Sequence, residues 1–445
     1  MNLKLRLTIL SFLQFGVWGA YLTSMGNYLG SVGLGSKIGL FYAMQGIVSI
    51  FMPAIMGIIA DRWIQAQKLL GISHFLAAVF LIWAGYYGMS AGENVEFSKL
   101  FLLYGLSVTF YMPTIALSNS VAYTVLVNNN YDTIKSFPPI RTLGTVGFIC
   151  AMLFVNFAGI QDGNLKFNFS NESDFPSFQN SYSQFFVSGI LGIILFIYSF
   201  TLPNCEVNKS TEKRTLSDAL GLKAFALFKE KKMAIFFIFS MFLGVSLQIT
   251  NGYANPFITS FKEIPEYANT WGSNNANALI SLSQVSETLC ILLIPFFLKR
   301  YGIKKVMLMA MFAWFLRFGL FGLGNPGGGV WMFVLSMIVY GIAFDFFNVS
   351  GSLFVDKETD KSIRSSAQGV FMMMTNGFGA TIGMLGAQEV VNHYVFSQTD
   401  PSLRLAGWQT SWYIFAGYAL VVTIAFAIVF KHKHDSTTQL KEVKH

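Results

Sequence analysis

Apolar residues occur in long continuous runs along the chain, and short polar or charged segments separate these runs. About 20 apolar residues span the hydrocarbon core of a bilayer as an α-helix, so each run predicts one spanning helix. The runs do not alternate with polar residues, which excludes the ten-residue strands of a membrane β-barrel. We predict twelve spans, at 5–30, 36–60, 67–89, 97–127, 137–160, 182–203, 232–260, 274–298, 304–323, 329–355, 364–394 and 408–431.

The longest polar stretch lies near the middle of the chain, with six predicted spans before it and six after it. We therefore predict an all-α membrane protein with an N-terminal six-helix bundle at 1–203 and a C-terminal six-helix bundle at 232–431. A cytoplasmic linker at 204–231 joins them, and a cytoplasmic tail follows at 432–445. Two such halves are typical of transporters that rock around a central site.

Composition supports a membrane protein, because 53% of the residues are hydrophobic and only 12% are charged. A soluble domain has about 25% charged residues. The first apolar run continues to about Leu29, which is too long for the apolar region of a cleaved signal peptide. We therefore interpret it as the first spanning helix.

The net charge of +8 does not indicate nucleic acid binding, because the basic residues lie in short loops between apolar runs. With the N-terminus in the cytoplasm, 23 Lys and Arg residues fall on the cytoplasmic side and five fall outside. Cytoplasmic loops of membrane proteins are enriched in these cations. The distribution predicts that both termini are cytoplasmic.

The reactive residue types exclude other classes of protein. Three cysteines without a C-x-x-C spacing and five histidines without an H-E-x-x-H motif indicate no disulfide framework and no metal site. A nucleophile–base set is also not visible, and the longest polar stretch of about 30 residues is too short for a soluble receptor module. We expect no enzyme activity, no cofactor and no metal.

Four ionisable residues lie within the apolar runs, where charge is costly: Arg141, Glu287, Arg317 and Asp345. Glu287 lies in the middle of its span, which contains no equally deep cation. Such a carboxyl is expected to bind and release protons near neutral pH. Arg141 follows Pro138 and Pro139 closely, so its side chain either extends to the cytoplasmic interface or faces the bundle interior.

Arg317 and Asp345 leave two interpretations open: a pair that fastens neighbouring helices, or two functional groups. Asp345 lies about 140° around its helix from Tyr340, so the two residues need not share a face. Other polar and aromatic residues do share helix faces at membrane depth, and such faces suit a solute with hydroxyls and a flat ring. They are Gln248 with Asn251, Gln284 with Glu287, Arg141 with Thr145 and Phe148, and Tyr340 with Phe344.

Several strings around these residues are long and specific. They are Ile9-Leu-Ser-Phe-Leu-Gln-Phe, Gly57-Ile-Ile-Ala-Asp61-Arg62-Trp63, Phe137-Pro-Pro-Ile-Arg141, Leu247-Gln-Ile-Thr-Asn251, Ser283-Gln-Val-Ser-Glu287-Thr and Tyr340-Gly-Ile-Ala-Phe-Asp345. Together they resemble bacterial nucleoside:proton symporters of the major facilitator superfamily, over nearly the whole chain. The loop at 162–181 is longer than the resemblance to that family implies.

The resemblance implies two bundles around a central cavity, in a bacterial inner membrane, with nucleosides imported by alternating access together with protons. It implies proton-coupling roles for Glu287 and Asp345, and a cytoplasmic gate at Gly57, Asp61 and Arg62. The implied substrate-binding residues are Arg141, Thr145, Phe148, Gln248, Asn251, Gln284, Glu287, Tyr340 and Phe344.

Two alternatives use the same scaffold: a symporter for another small polar solute such as a sugar, or an exporter. Amide side chains bind the hydroxyls of a sugar as well as those of a nucleoside, so residue types alone do not separate them. A membrane receptor or enzyme is a remote third alternative. The expected partners are a nucleoside, protons and the lipid bilayer, and we expect a monomer.

Overall fold

The structure, a computed structural model, describes residues 2–170, 175–205, 222–360 and 363–432, and it is predominantly helical in these ranges. Its helices follow the predicted apolar runs closely. The helices are α1 Leu3–Gly19, α2 Met25–Ser31, α3 Ile38–Arg62, α4 Ala66–Ala91, α5 Phe97–Asn128, α6 Thr133–Phe157, α7 Ser183–Ser199, α8 Lys231–Leu247, α9 Ile249–Ser260, α10 Trp271–Asn274, α11 Ala276–Ile291, α12 Ile294–Leu323, α13 Val330–Glu358, α14 Arg364–Met372, α15 Ala380–Val391 and α16 Pro401–Val429.

Within the described ranges, nine helices are long and apolar enough to cross a membrane. The other three predicted spans contain shorter helices. The span predicted at 5–30 consists of α1 and α2, and the span at 182–203 contains only the 17-residue helix α7. The span at 274–298 consists of α11 and the first residues of α12, which turns sharply at Gly302 with a φ of 77°. The predicted all-α membrane fold is confirmed.

The seventh span is interrupted in its middle. Helix α8 ends at Leu247 and α9 begins at Ile249, so Gln248 lies at the junction. The eleventh span is also irregular, because the π-helical segment Met373–Gly379 connects α14 to α15. Broken and π-helical segments recur at binding sites in membrane proteins, because they expose backbone groups that a regular helix pairs internally.

A short hairpin connects α6 to α7. Strand β1, Ala158–Gln161, pairs antiparallel with β2, Asn164–Phe167. The Asp162–Gly163 turn has positive φ at both residues, 56° and 74°, which is the geometry of a two-residue hairpin turn. The hairpin begins in the last residues of the span predicted at 137–160 and continues into the loop predicted at 162–181, while residues 171–174 lie outside the described ranges.

The chain divides into two compact units. Unit 1 comprises Met1–Ala219 and Thr250–Ala278, and unit 2 comprises Leu220–Ile249 and Leu279–His445. The predicted domain boundaries at 203 and 232 remain a prediction. Most of the predicted linker, 206–221, and most of the predicted tail, 433–445, lie outside the described residues.

A group of buried amide side chains attaches the segment Thr250–Ala278 to the rest of unit 1. Asn156 donates to the amide oxygen of Asn275 at 2.8 Å and accepts from the backbone N–H of Ala278 at 3.1 Å. The amide of Asn277 donates to the Met152 carbonyl at 3.2 Å, and its oxygen accepts from the hydroxyl of Thr23. Because buried amides are costly without partners, these bonds explain why the segment groups with the N-terminal helices.

Candidate functional site

In unit 1, close packing of α6 on α1 positions the predicted face of α6. A Cβ atom added at Gly147 would lie 2.1 Å from the Phe12 carbonyl oxygen, so only glycine permits the approach. Arg141, Thr145 and Phe148 lie beside this contact at i, i+4 and i+7 spacing. Arg141 and Thr145 are half-buried, and Phe148 is buried.

Arg141 stacks on an aromatic ring of α1. The central carbon of its guanidinium lies 3.8 Å from the centroid of the Phe15 ring, which is a cation–π contact. Helix α6 begins at Thr133, before Pro138 and Pro139, so Arg141 lies deeper in the helix than the predicted start at 137 implies. The structure favours the interpretation in which Arg141 faces the bundle, because its guanidinium contacts α1.

A buried hydrogen-bond network supports α1 behind this face. The amide of Gln14 donates to Thr114 at 2.8 Å, and its oxygen lies 2.7 Å from Nε2 of His74. The hydroxyl of Tyr111 donates to the Gln14 carbonyl at 2.9 Å. These residues were not among the predicted site residues. Their only signal in the sequence is a Gln and a His inside apolar runs.

Asn251 is the fourth member of the predicted site that belongs to unit 1. It is half-buried in the first turn of α9, immediately after the interruption of the seventh span. Gln248, which forms that interruption, belongs to unit 2 and is also half-buried. The i, i+3 relation predicted for these two residues therefore falls across a helix break rather than within one regular helix.

In unit 2, two serines of α11, Ser283 and Ser286, fasten this helix to α13, and the Ser283 hydroxyl lies 3.0 Å from the Met337 sulfur. The Ser286 hydroxyl donates to the carbonyl of Ile338, and a Cβ added at Gly341 would lie 2.5 Å from the Ser286 carbonyl oxygen. This close contact fixes the rotation of α11. Gln284 and Glu287, which alternate with the serines along the helix, are half-buried.

Tyr340 is the common neighbour of the predicted residues on α11 and α13. Its side chain lies close to that of Gln284 and within electrostatic range of Glu287 and Asp345. Its ring stacks with that of Phe344, with centroids 5.6 Å apart and planes inclined by 19°. The structure thus brings together an amide, a carboxyl and two stacked rings that the spacing alone had placed on separate helices.

Asp345 and Arg317 are both buried in unit 2, at 6% and 2% exposure. The pairing of these two residues was one interpretation of the sequence, but the structure gives Arg317 other partners. Its Nη1 atom donates to the Ser336 carbonyl at 2.9 Å, and its guanidinium lies 4.5 Å from the centroid of the Tyr340 ring. Asp345 lies within electrostatic range of the Cys290 thiol.

The predicted gate motif lies at the C-terminal end of α3. Asp61 and Arg62 are exposed, and α3 ends at Arg62. Gly57 lies one turn earlier, and a Cβ added there would meet no atom within 4 Å. The exposed position is compatible with a charged loop at a membrane surface. The gating role remains a prediction.

The multi-pass helical fold and the groups of acidic, amide and aromatic side chains define the class of protein. It is a membrane transporter with the fold of the major facilitator superfamily. Residues 1–435 match the family described as nucleoside H+ symporter. The chain belongs to this nucleoside H+ symporter family, and it is a transporter rather than an enzyme.

Similar proteins cover essentially the whole chain. It is 45% identical to the nucleoside permease NupG of Escherichia coli (strain K12) over 438 residues, which cover 98% of this chain and 97% of that protein. It is 41% identical to the xanthosine permease of the same organism, with coverage of 100% and 99%. The crystal structure of the nucleoside transporter NupG matches with a TM-score of 0.84 at 45% identity, covering 97% of this chain and 100% of that one.

Proposed function

We propose that this transporter imports nucleosides together with protons across a bacterial inner membrane, and that each unit contributes its own group of side chains. The observation that carries the proposal is the cluster around Tyr340, where Gln284, Glu287 and Phe344 meet. In this cluster the aromatic rings suit the flat base of a nucleoside, the Gln284 amide suits its hydroxyls, and the Glu287 carboxyl can bind a proton. Membership of the nucleoside H+ symporter family supports the solute and the coupling ion.

Recognition of the nucleoside is assigned to amides, aromatic rings and one cation. Phe344 is half-buried and stacked on Tyr340, so an exposed part of its ring remains for contact with a base. The half-buried amides Gln248, Asn251 and Gln284 provide donors and acceptors for ribose hydroxyls. In unit 1, Arg141 provides the donors of its guanidinium, and Thr145 and Phe148 extend the same face.

Proton coupling is assigned to Glu287, with Asp345 as the second carboxyl. Glu287 is half-buried, so the protein does not fully enclose its side chain, whereas Asp345 is buried. A charged carboxyl opposes closure of a drier cavity around it, and protonation removes this cost. Binding of a proton therefore favours the conformational change that carries the nucleoside inward, and loss of the proton to the cytoplasm completes the cycle.

The topology and the assembly complete the proposal. Both termini and the segment at 204–231 lie in the cytoplasm, because the loop cations favour that orientation. The motif of Gly57, Asp61 and Arg62 then lies at the cytoplasmic end of α3 and contributes to closing that side by charge pairing. The transporter acts as a monomer.

A competition experiment tests the choice of solute. Uptake of labelled uridine is measured in cells that lack their own nucleoside transporters, with excess unlabelled nucleosides, nucleobases, nucleotides or sugars. The proposal predicts that nucleosides compete and that sugars do not. Competition by sugars instead of nucleosides contradicts it and favours a sugar symporter, and labelled uridine that leaves preloaded cells against its gradient favours an exporter.

A further inference from the structure

Arg317 is a charged side chain that the transport mechanism above does not use. It lies within α12, where it is 2% exposed, in the part of the helix that follows the sharp turn at Gly302. A guanidinium at membrane depth is costly, and such residues are seldom retained without a function. Its surroundings therefore indicate what that function is.

The contacts of Arg317 join three helices of unit 2. Its Nη1 atom donates to the Ser336 carbonyl of α13 at 2.9 Å and to the Ser283 hydroxyl of α11 at 3.4 Å. The Ser336 hydroxyl donates in return to the Arg317 carbonyl at 3.0 Å. These bonds fix the guanidinium against α13, one turn before Tyr340.

The guanidinium then covers a face of Tyr340. Its central carbon lies 4.5 Å from the centroid of that ring, while Trp314, on the same helix as Arg317, meets the ring edge-on at 6.0 Å. Tyr340 is 5% exposed, so water does not weaken this cation–π contact. Because the ring of Tyr340 stacks with Phe344 and its side chain lies close to that of Gln284, the orientation of Tyr340 constrains both neighbours.

A lysine would not make the same set of contacts. A planar guanidinium stacks on a ring and donates in its own plane to a carbonyl at the same time, whereas an ammonium is a point charge on a flexible chain. Nε of Arg317 is buried and has no hydrogen-bond partner among the described residues. A side chain retained for stability alone would be expected to satisfy that donor.

We propose that Arg317 is a positioning residue of the nucleoside site. It fixes the ring of Tyr340, and through that ring it orients Gln284 and Phe344 for the solute. This inference rests on the proposed function, because it assigns the nucleoside as the ligand of Gln284 and Phe344. Arg317 itself does not contact the nucleoside.

Uridine uptake kinetics in proteoliposomes test the inference. Arg317→Met should raise the KM for uridine about tenfold, because the contact of the guanidinium with the Tyr340 ring is lost. The turnover number should stay within about twofold of that of the parent protein, because Glu287 is unchanged. Arg317→Lys should give an intermediate KM. The matched control is Arg404→Met, since Arg404 of unit 2 also donates to a carbonyl, that of Gln398, and is not among the residues assigned to the site. Its KM should equal that of the parent.

A double-substitution cycle separates positioning from a merely structural role. In a Tyr340→Leu background there is no ring to orient, so Arg317→Met should have no further effect on KM. Additive effects contradict the inference, and so does an unchanged KM in Arg317→Met. If Arg317→Met cannot be purified, an unchanged KM in Arg317→Lys contradicts it equally. Absence of saturable uridine uptake by the parent protein contradicts the proposed function, and the inference with it.

Discussion

The two units contain the same kind of contact, an arginine stacked on an aromatic ring, in two different surroundings. In unit 1 the guanidinium of Arg141 lies 3.8 Å above Phe15 and is half-buried. In unit 2 the guanidinium of Arg317 lies 4.5 Å above Tyr340 and is almost fully buried. In the proposed function the half-buried Arg141 contacts the solute, whereas the buried Arg317 acts on its protein neighbours. Burial, rather than residue type, separates the two roles.

The units also differ in their carboxyls. Of the residues proposed for the site, both acids, Glu287 and Asp345, belong to unit 2. The cation proposed to contact the solute, Arg141, belongs to unit 1. We infer that unit 2 responds to the proton, while unit 1 contributes mainly to affinity for the nucleoside. Substitutions in the two units should therefore affect different measured quantities.

The largest effect is expected from Glu287→Gln. The amide has nearly the shape of the acid but does not bind a proton, so uridine should no longer accumulate above the outside concentration, whatever the pH gradient. Exchange of internal for external uridine should persist. The measurement is the accumulation ratio of labelled uridine in vesicles with an acidic exterior.

The matched control for this prediction is Glu93→Gln, an exposed carboxyl that follows α4. It should accumulate uridine as the parent does. Full accumulation of uridine by Glu287→Gln would mean that the proton acts through another group, and it would contradict the role assigned to Glu287 in unit 2.

A smaller effect is expected from Arg141→Ala in unit 1. Loss of charged hydrogen bonds to the solute should raise the KM for uridine about 10- to 100-fold, while the gradient still drives accumulation. Initial uptake rates over a range of uridine concentrations measure this change. Arg6→Ala, at another half-buried arginine of unit 1, serves as the control. Loss of accumulation with an unchanged KM would reverse the roles assigned to the units.

The smallest effect is expected from Phe15→Leu, which removes the ring beneath Arg141. A cation–π contact at a partly exposed site contributes about 0.5–1 kcal/mol, so the KM should rise about two- to fivefold. Phe15→Tyr, which keeps the ring, should restore the parent value. Phe41→Leu is the control, because Phe41 is buried among other aromatic residues of unit 1. Equal effects of Phe15→Leu and Phe41→Leu would mean that Phe15 acts only through packing.

Much of the fold follows from the sequence because each span satisfies one simple condition, a length of apolar residues that matches the bilayer. The interruptions were not predicted. The break at Gln248 has no proline or glycine at the junction itself, and the α1–α2 break depends on how those helices pack. Helix propensity does not determine such features when tertiary contacts override it.

The site was predictable only in part, for a similar reason. The i, i+3 spacing of Gln284 and Glu287 places them on one face of α11, but spacing does not reveal that Tyr340 of α13 contacts that face. The resemblance to nucleoside:proton symporters indicated that Tyr340 belongs to the same site as Gln284 and Glu287. Phe15 beneath Arg141 and the partners of Arg317 depend on side-chain packing between helices, which no local pattern encodes.

The central claim is that nucleoside entry carries a proton through a carboxyl of unit 2. It is tested most directly with purified protein in vesicles that contain a pH-sensitive dye, at equal pH on both sides. The account predicts that external uridine acidifies the interior when the parent protein is present and does not do so with Glu287→Gln. Uridine entry into vesicles of the parent protein without acidification, or equal acidification by Glu287→Gln, would contradict it.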